Sequence, residues 1–214
     1  MNIGIIGAGH IGSTAARLLV KAGHEVAVSN SRGPASLRSL VAELGAHAHA
    51  MHVDDAARFG SVVLLAVPWR KAEALPRPEL VAGKIVIDAM NPYGASGEVI
   101  GTGGTTSSEE VQRRLPGARL VKAFNTIYYQ HLATLGSTSL PFDQRYAIFL
   151  AGDDAEAKQV AGKLIEEMGF APVDTGSLRQ GGRKQEPGSA IYNRPMLLPQ
   201  ARQALAASPR TAAG

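Results

Sequence analysis

Three glycines near the start of the chain, Gly7, Gly9 and Gly12, have the spacing G-x-G-x-x-G. An apolar run over residues 2–6 precedes them and is typical of a buried strand, and residues 13–22 follow with helical periodicity. In this setting the first glycine permits a tight turn, the second lets the backbone approach a pyrophosphate, and the third lets helix and strand pack closely. Free N–H groups at the helix start then receive the phosphate charge. The pattern predicts a dinucleotide-binding turn, and a purely structural glycine turn is the alternative.

The residues after the second predicted strand, 24–28, indicate which dinucleotide is bound. They are Ser29, Asn30, Ser31 and Arg32, whereas enzymes that prefer NAD usually have Asp or Glu here to bind the ribose hydroxyls. No carboxylate is present to repel a 2′-phosphate, while hydroxyls, an amide and a guanidinium are available to bind one. The sequence therefore predicts NADP in preference to NAD.

Composition limits the classes of protein to consider. The chain has 214 residues, which suits one large domain or one domain with a small appendage. Its formal charge of +4 is mild and the basic residues are scattered, which argues against nucleic acid as a partner. The absence of cysteine excludes disulfides and thiolate chemistry. No apolar run is long enough to span a membrane and no signal peptide is visible, so we expect a cytoplasmic protein without a membrane partner.

Two histidines, His47 and His49, share one face of a predicted strand, and His52 lies close by. No firm set of ligands converges on them, so we predict a polar strand end and no metal site. No nucleophile elbow or zinc signature occurs, and we assign no catalytic residue. Lys122 is either a base or an ordinary strand-end lysine, and the same choice between proton donor and packing residue applies to the tyrosines, Tyr128, Tyr129 and Tyr192.

Strands and helices alternate through the first two thirds of the chain. This order predicts an α/β fold of the Rossmann type, a doubly wound parallel sheet, over residues 1–136. A further strand, helix and strand over 146–175 and a final helix near 195–206 predict a small C-terminal α/β extension over residues 137–214. The segment 180–193 is expected to be an irregular loop, and 95–107 a mobile loop beside a site.

Polar residues and turns lie at the ends of the predicted strands, at Val67-Pro68, Asn91-Pro92 and Asn125-Thr126. Because the carboxyl ends of parallel strands meet at one edge of a sheet, these positions should converge on the nicotinamide. Trp69 either completes core packing or forms a wall of that pocket. The loop 181–193 is the nearest segment able to cover the edge, and its hydrogen-bonding side chains are Ser189, Tyr192 and Asn193.

In several separate segments the sequence resembles NADP oxidoreductases that depend on the deazaflavin coenzyme F420. The resemblance rests on Ile3 to Gly12, Ser31-Arg32, Val67 to Trp69, Val121 to Ile127 and Ala151 to Asp154. It implies a Rossmann domain with a small α/β extension, and hydride transfer between NADPH and a stacked deazaflavin ring. In place of the family's usual closing helix sequence, the chain has a glycine-rich loop and Pro187-Gly188-Ser189.

The resemblance also assigns residues to two sites. NADP would contact Gly9, His10, Ile11, Asn30, Ser31 and Arg32, with Val67, Pro68 and Trp69 near its nicotinamide half. A second pocket would be lined by Asn91, Pro92, Asn125, Thr126 and Ile127.

We therefore expect an NADP(H)-dependent oxidoreductase whose partner is a small redox molecule, either F420 or a flavin-like acceptor. Two alternatives stay open: an NADPH-dependent reductase of a small carbonyl or imine, and an NADP-binding redox sensor without turnover. Association into homodimers is also left open. Hydride transfer between stacked rings requires mainly positioning and exclusion of water.

Overall fold

A computed structural model describes residues 1–207, apart from the side chains of residues 72 and 73. Eight strands form one sheet in the order β3-β2-β1-β4-β5-β6-β7-β8. The order of the first six strands is that of a Rossmann sheet, which confirms the predicted fold class. The strands are β1 (Asn2–Ile6), β2 (Glu25–Ser29), β3 (Ala48–Ala50), β4 (Val62–Leu65), β5 (Ile85–Asp88), β6 (Arg119–Ala123), β7 (Ala147–Gly152) and β8 (Ala171–Asp174).

Successive residues of a strand point to opposite faces of the sheet, and here both faces carry apolar side chains. Helices cover each face and bury them. On β1, Ile3 and Ile5 enter one apolar core, and Ile6 enters the other. Burial on both faces explains why the central strands are continuously apolar. The helices are α1 (His10–Lys21), α2 (Arg38–Leu44), α3 (Val53–Phe59), α4 (Ser107–Arg114), α5 (Tyr129–Thr134), α6 (Ala155–Glu167), α7 (Gln180–Lys184) and α8 (Leu198–Ala207).

The sheet is not parallel throughout, because β7 runs antiparallel to β6 and parallel to β8. β7 therefore begins at the edge where β6 ends, so the connection that contains α5 stays at this carboxyl edge. Both strands of the predicted C-terminal extension continue the same sheet. The boundary between residues 136 and 137 stays a prediction.

Two helices lie where sequence patterns predicted none. α5 follows the end of β6, and α7 occupies the start of the segment 180–193 that was predicted to be irregular, so that prediction is wrong for residues 180–184. Gly181 and Gly182 disfavour a helix locally. Tertiary packing requires them, however, since a Cβ at Gly181 would lie 2.7 Å from the carbonyl carbon of Thr175. The first helix also begins earlier than predicted, at His10.

β8 forms one margin of the sheet and contains a proline. The Ala171 and Thr175 amides donate to the β7 side, to Tyr146 O at 2.9 Å and Leu150 O at 2.8 Å. Because alternate residues of a strand direct their amide nitrogens to opposite sides, the nitrogen of Pro172 faces away from β7. In the part of the chain that the structure describes, no helix combines the length and apolar character needed to cross a membrane.

An ion pair between Lys122 on β6 and Asp88 on β5 lies inside the protein, with 1% and 0% of the side chains exposed. The Lys122 ammonium donates to Asp88 Oδ2 at 3.1 Å, to Met90 O at 2.6 Å and to Ser107 Oγ at 3.1 Å. Asp88 also accepts from the Met90 amide at 2.9 Å and from Ser108 Oγ at 2.8 Å. All three ammonium protons are thus used, which removes the main cost of burying the charge.

The variant Lys122→Met should lower the free energy of unfolding by about 3–5 kcal/mol, because it leaves the Asp88 carboxylate buried without a counter-ion. Urea denaturation followed by circular dichroism measures the change. The matched control is Arg17→Met, which breaks a pair whose side chains are 44% and 55% exposed and should have little effect. Equal losses in the two variants would contradict a special role for the buried pair.

Candidate functional site

The glycine turn joins β1 to α1 and leaves the start of the helix open. Gly7 has a φ of 107°, a conformation that L residues rarely adopt. A Cβ at Gly12 would collide with the Gly7 carbonyl oxygen, whereas a Cβ at Gly9 would meet nothing within 4 Å. No side chain caps the first turn of α1, so its N–H groups stay available for an anion. Gly7 and Gly12 thus shape the turn, and Gly9 keeps its surface clear.

A cavity of about 780 Å³ opens at the carboxyl edge of the sheet, beside this turn. It lies where the strand order reverses between β1 and β4, the usual ligand position in such sheets. Gly12 does not line it, because it is buried on the side of α1 that packs against the Gly7 backbone. The predicted cofactor-binding residues that do line it are Gly7, Gly9, His10, Ile11, Asn30, Ser31, Arg32, Val67, Pro68 and Trp69.

The end of β2 presents Ser31 and Arg32 at the mouth of this cavity, and both residues are exposed. Asn30 organises the turn, since its Oδ1 accepts from the Arg32 amide at 2.9 Å. Ser29, by contrast, is fully buried and donates its hydroxyl to Ile5 O at 3.0 Å. Among the described residues, no carboxylate forms an ion pair with the Arg32 guanidinium. This leaves a free cation at the position where a 2′-phosphate would lie.

Trp69 takes part in core packing and also lines the cavity, while its role beside a nicotinamide stays a prediction. The apolar core against which its ring packs is on the α3 and α4 face of the sheet. The Arg114 guanidinium lies 5.6 Å from the ring centroid, a cation–π arrangement. Core side chains and the Arg114 guanidinium thus both contact the ring that lines the cavity.

A smaller cavity of about 180 Å³ adjoins the first and shares His10, Ile11, Ala89 and Asn91 with it. Of the residues predicted for a second ligand, it is lined by Asn91, Asn125, Ile127, Tyr192 and Asn193. Pro92 and Thr126 are buried and Ser189 is partly buried, and these three line neither cavity. Lys122 also lines neither cavity, because its ammonium is held by the buried ion pair. The assignment of either cavity to a ligand stays a prediction.

A hydrogen-bond network surrounds the smaller cavity. Asn91 Nδ2 donates to Asn125 O at 2.9 Å and to the Tyr192 hydroxyl at 3.2 Å. The Tyr93 hydroxyl donates to the Tyr192 hydroxyl at 2.9 Å. Burial and the adjacent Tyr93 phenol raise the pKa of Tyr192, so this phenol is protonated at neutral pH. Asn125 donates its Nδ2 to Gln185 O at 2.7 Å, which ties the end of α7 to the site.

Two residues at this cavity have unusual backbone conformations. Phe124, which directly follows β6, has a φ of 64°, and Asn193 has a φ of 55°. The Asn193 amide donates to Thr126 O at 2.9 Å, so a hydrogen bond joins the segment of Asn193 to the segment that follows Phe124. A buried phenylalanine in the left-handed region is strained, and such strain is typical of functional sites. In the described chain the Asn125 Oδ1 atom is also buried without a hydrogen-bond partner.

An aromatic cluster from α5 forms the outer wall. The Tyr129 and His10 rings stack with centroids 4.2 Å apart and planes at 16°, and Tyr128 packs against Tyr129 at 4.7 Å. The sequence placed His10 at the turn but gave no signal that Tyr129 would meet it, because the two residues lie far apart in the chain. Tyr93 was also missed, although its position two residues after Asn91 could have indicated it.

Comparisons with known proteins agree with this arrangement. Residues 2–92 match a family model described as coenzyme F420-dependent NADP oxidoreductase. The crystal structure of a hypothetical protein, SMa0349 of Sinorhizobium meliloti, has a TM-score of 0.80 and 35% identity, covering 92% of this chain and 95% of that one. Residues 2–92 of the chain thus resemble the family of coenzyme F420-dependent NADP oxidoreductases.

Other relatives extend the likeness within this family and beyond it. A proposed F420-dependent NADP reductase from Arthrobacter sp. FB24 has a TM-score of 0.71 and 27% identity, covering 83% of this chain and 86% of that one. Metalloreductase STEAP3 of Rattus norvegicus is 29% identical over 187 residues, covering 82% of this chain but 34% of the relative. The chain thus spans about a third of the length of the curated relatives it matches.

The variant Gly9→Val should abolish cofactor binding and change the free energy of unfolding little, since a Cβ at this position meets no protein atom within 4 Å and the side chain enters the space needed by a pyrophosphate. Gly101→Val is the matched control, because Gly101 is equally open, has an ordinary backbone and lines neither cavity. Calorimetric titration with NADPH and urea denaturation test both variants. Native affinity in Gly9→Val would refute the assignment of this turn to the cofactor.

Proposed function

We propose that this oxidoreductase passes a hydride between NADPH in the larger cavity and a deazaflavin (F420) or flavin-like acceptor in the smaller one. The observation that carries the proposal is the contact between the two cavities, which share His10, Ile11, Ala89 and Asn91. A hydride donor and its acceptor must meet within a few ångströms, and two adjoining cavities at one sheet edge provide that geometry.

Three features of the larger cavity fit NADPH. The uncapped start of α1 and the clear surface at Gly9 suit a pyrophosphate. The unpaired Arg32 guanidinium and the exposed Ser31 suit a 2′-phosphate. The Trp69 ring and the apolar wall around Val67 suit the flat nicotinamide half. When bound, NADPH would supply the hydride, and the protein residues would hold its ring and exclude water.

The smaller cavity suits the edge of a planar ring. At about 180 Å³ it is below the usual size of a site that encloses a whole organic ligand. An acceptor such as a flavin would therefore insert one edge between Tyr192 and the α5 aromatic cluster, with its remainder outside. The same volume would hold a small carbonyl or imine compound completely, which keeps direct reduction as the second candidate. A redox sensor would need no second cavity.

The variant Arg32→Ala should weaken NADPH binding by about 10- to 100-fold, which corresponds to the roughly 1.5–3 kcal/mol of a charge-assisted hydrogen bond. NADH binding should be unchanged, because NADH has no 2′-phosphate. Arg202→Ala, an exposed arginine on α8, is the matched control. Fluorescence titrations of Trp69 measure all affinities. Equal affinity of the native protein for NADPH and NADH would contradict the choice of cofactor.

The acceptor is tested by NADPH oxidation with F420, FMN, FAD, a small cyclic imine and a ferric chelate with FAD, offered in parallel. The ferric chelate is included because similar curated proteins are named metalloreductases. We expect the fastest turnover with F420 or a flavin. Turnover with the imine alone would favour the second candidate. NADPH binding without oxidation of any compound would contradict an enzymatic role.

A further inference from the structure

A pair of tyrosines connects the two cavities. Tyr93 lines the larger cavity and Tyr192 lines the smaller one, and their hydroxyl oxygens are 2.9 Å apart. Asn91, which lines both cavities, donates its Nδ2 to the Tyr192 oxygen at 3.2 Å. The two tyrosines are 99 residues apart in the chain, so the segment after α7 has to fold back to bring them together. The contact therefore provides a polar bridge between the two cavities.

The hydrogen bonds define where the Tyr192 proton can go. The Tyr192 oxygen accepts one bond from Tyr93 and one from Asn91, which occupies both of its lone pairs. Its own proton is left to be donated, and within residues 1–207 no protein acceptor is paired with it. A group in the smaller cavity is the remaining acceptor. The arrangement thus points a proton from Tyr93 towards Tyr192 and from Tyr192 towards a ligand.

Other polar groups around the smaller cavity are less suited to this task. Tyr128 is 40% exposed, its ring packs against Tyr129 and His131, and a hydrogen bond to the Tyr129 hydroxyl raises the pKa of Tyr128. Tyr129 stacks on His10, and its hydroxyl accepts a weak bond from Gln130 Nε2 at 3.5 Å. These aromatic groups shape the cavity wall. Among the tyrosines that line the smaller cavity, Tyr192 alone is hydrogen-bonded, within the described chain, to a tyrosine that lines the larger cavity.

We propose that Tyr93 and Tyr192 form a proton relay that completes hydride transfer in the smaller cavity, an inference that rests on the proposed function. Reduction of a ring or a carbonyl by two electrons consumes one hydride, which NADPH supplies, and one proton. Tyr192 breaks its O–H bond, and this proton forms a new N–H or O–H bond on the acceptor. Tyr93 transfers its hydroxyl proton to Tyr192, and solvent that reaches the partly exposed Tyr93 returns a proton to it. Both phenols are neutral again at the end.

A relay of two phenols solves a problem that a single buried phenol would have. Burial disfavours a phenolate, so an isolated Tyr192 would release its proton reluctantly. Delivery of the Tyr93 proton as the Tyr192 proton leaves prevents a phenolate from persisting in the smaller cavity. Tyr192 is thus a catalytic residue that touches the acceptor, and Tyr93 acts only through Tyr192.

The test compares Tyr192→Phe and Tyr93→Phe with the native protein, using F420 and FMN as acceptors. Both variants should oxidise NADPH at least tenfold more slowly in a single turnover, and both should lose the solvent deuterium isotope effect of the native protein. Tyr146→Phe is the matched control, because Tyr146 lines neither cavity, and it should keep the native rate and isotope effect. Circular dichroism verifies that all three variants fold.

Binding without turnover provides a second measurement. Titration of FMN or F420 into the protein saturated with NADP⁺ should show about tenfold weaker binding in Tyr192→Phe, because one hydrogen bond to the acceptor is lost. The affinity of Tyr93→Phe should stay within about threefold of the native value, because Tyr93 does not touch the acceptor. Slow turnover in Tyr93→Phe together with native acceptor affinity indicates proton delivery. A merely structural role would lower both the turnover rate and the affinity.

Three outcomes would overturn the relay. Native rates and isotope effects in both variants, with an active native protein, would refute it and leave the proposed function intact. A native rate in Tyr93→Phe alone would reduce the relay to a single donor and also refute it. A native protein that oxidises NADPH with neither F420 nor FMN would contradict the proposed acceptor and the relay together.

Discussion

The ammonium of Lys122 joins three parts of the chain that end at the same edge of the sheet: β5, β6 and the start of α4. It pairs with Asp88, and it donates to Ser107 Oγ and to Met90 O. Met90 precedes Asn91, the residue that lines both cavities and bonds to Tyr192. The position of the Asn91 side-chain amide therefore depends on the buried ammonium of Lys122, although Lys122 itself lines neither cavity. Buried ion pairs add little net stability on average, but one with every donor used fixes a single geometry.

The reversal of β7 determines which residues can reach that edge. A parallel seventh strand would have required a crossover along the length of the sheet, which would have taken the connecting segment away from the glycine turn. With an antiparallel strand, α5 stays at the carboxyl edge, and Tyr129 stacks on His10. The glycine turn thus supplies a wall of both cavities. Strain at Phe124 accompanies the sharp change of direction directly after β6.

The sequence was informative where one short segment contains the whole signal. The conformation of the turn from Gly7 to Gly12 could be predicted because it depends on residues within the turn itself, whereas its role and that of the Ser31-Arg32 pair stay predictions. Apolar runs likewise predicted the strands, because burial on both faces requires them. The fold class and the strand-end location of the site followed from these elements.

Features that depend on distant contacts could not be predicted in the same way. The sequence alone does not bring Tyr93 next to Tyr192, and it does not indicate that Lys122 is buried with Asp88. The helix α7 was missed because its glycines are unfavourable locally and are required only by close packing on Thr175. Ser189 was predicted from its loop position, but it is partly buried and lines neither cavity.

The outward-facing nitrogen of Pro172 has a consequence for how molecules of this protein can meet. An open sheet margin usually offers a row of amide groups to which a strand from a second molecule can add. At β8 that row is interrupted at Pro172, and the exposed Asp174 carboxylate follows two residues later. Edge-to-edge joining of two sheets is thereby disfavoured at this margin. Two copies that associate on this side of the molecule are therefore expected to meet through helices or loops, and growth of a continuous intermolecular sheet from this margin is disfavoured.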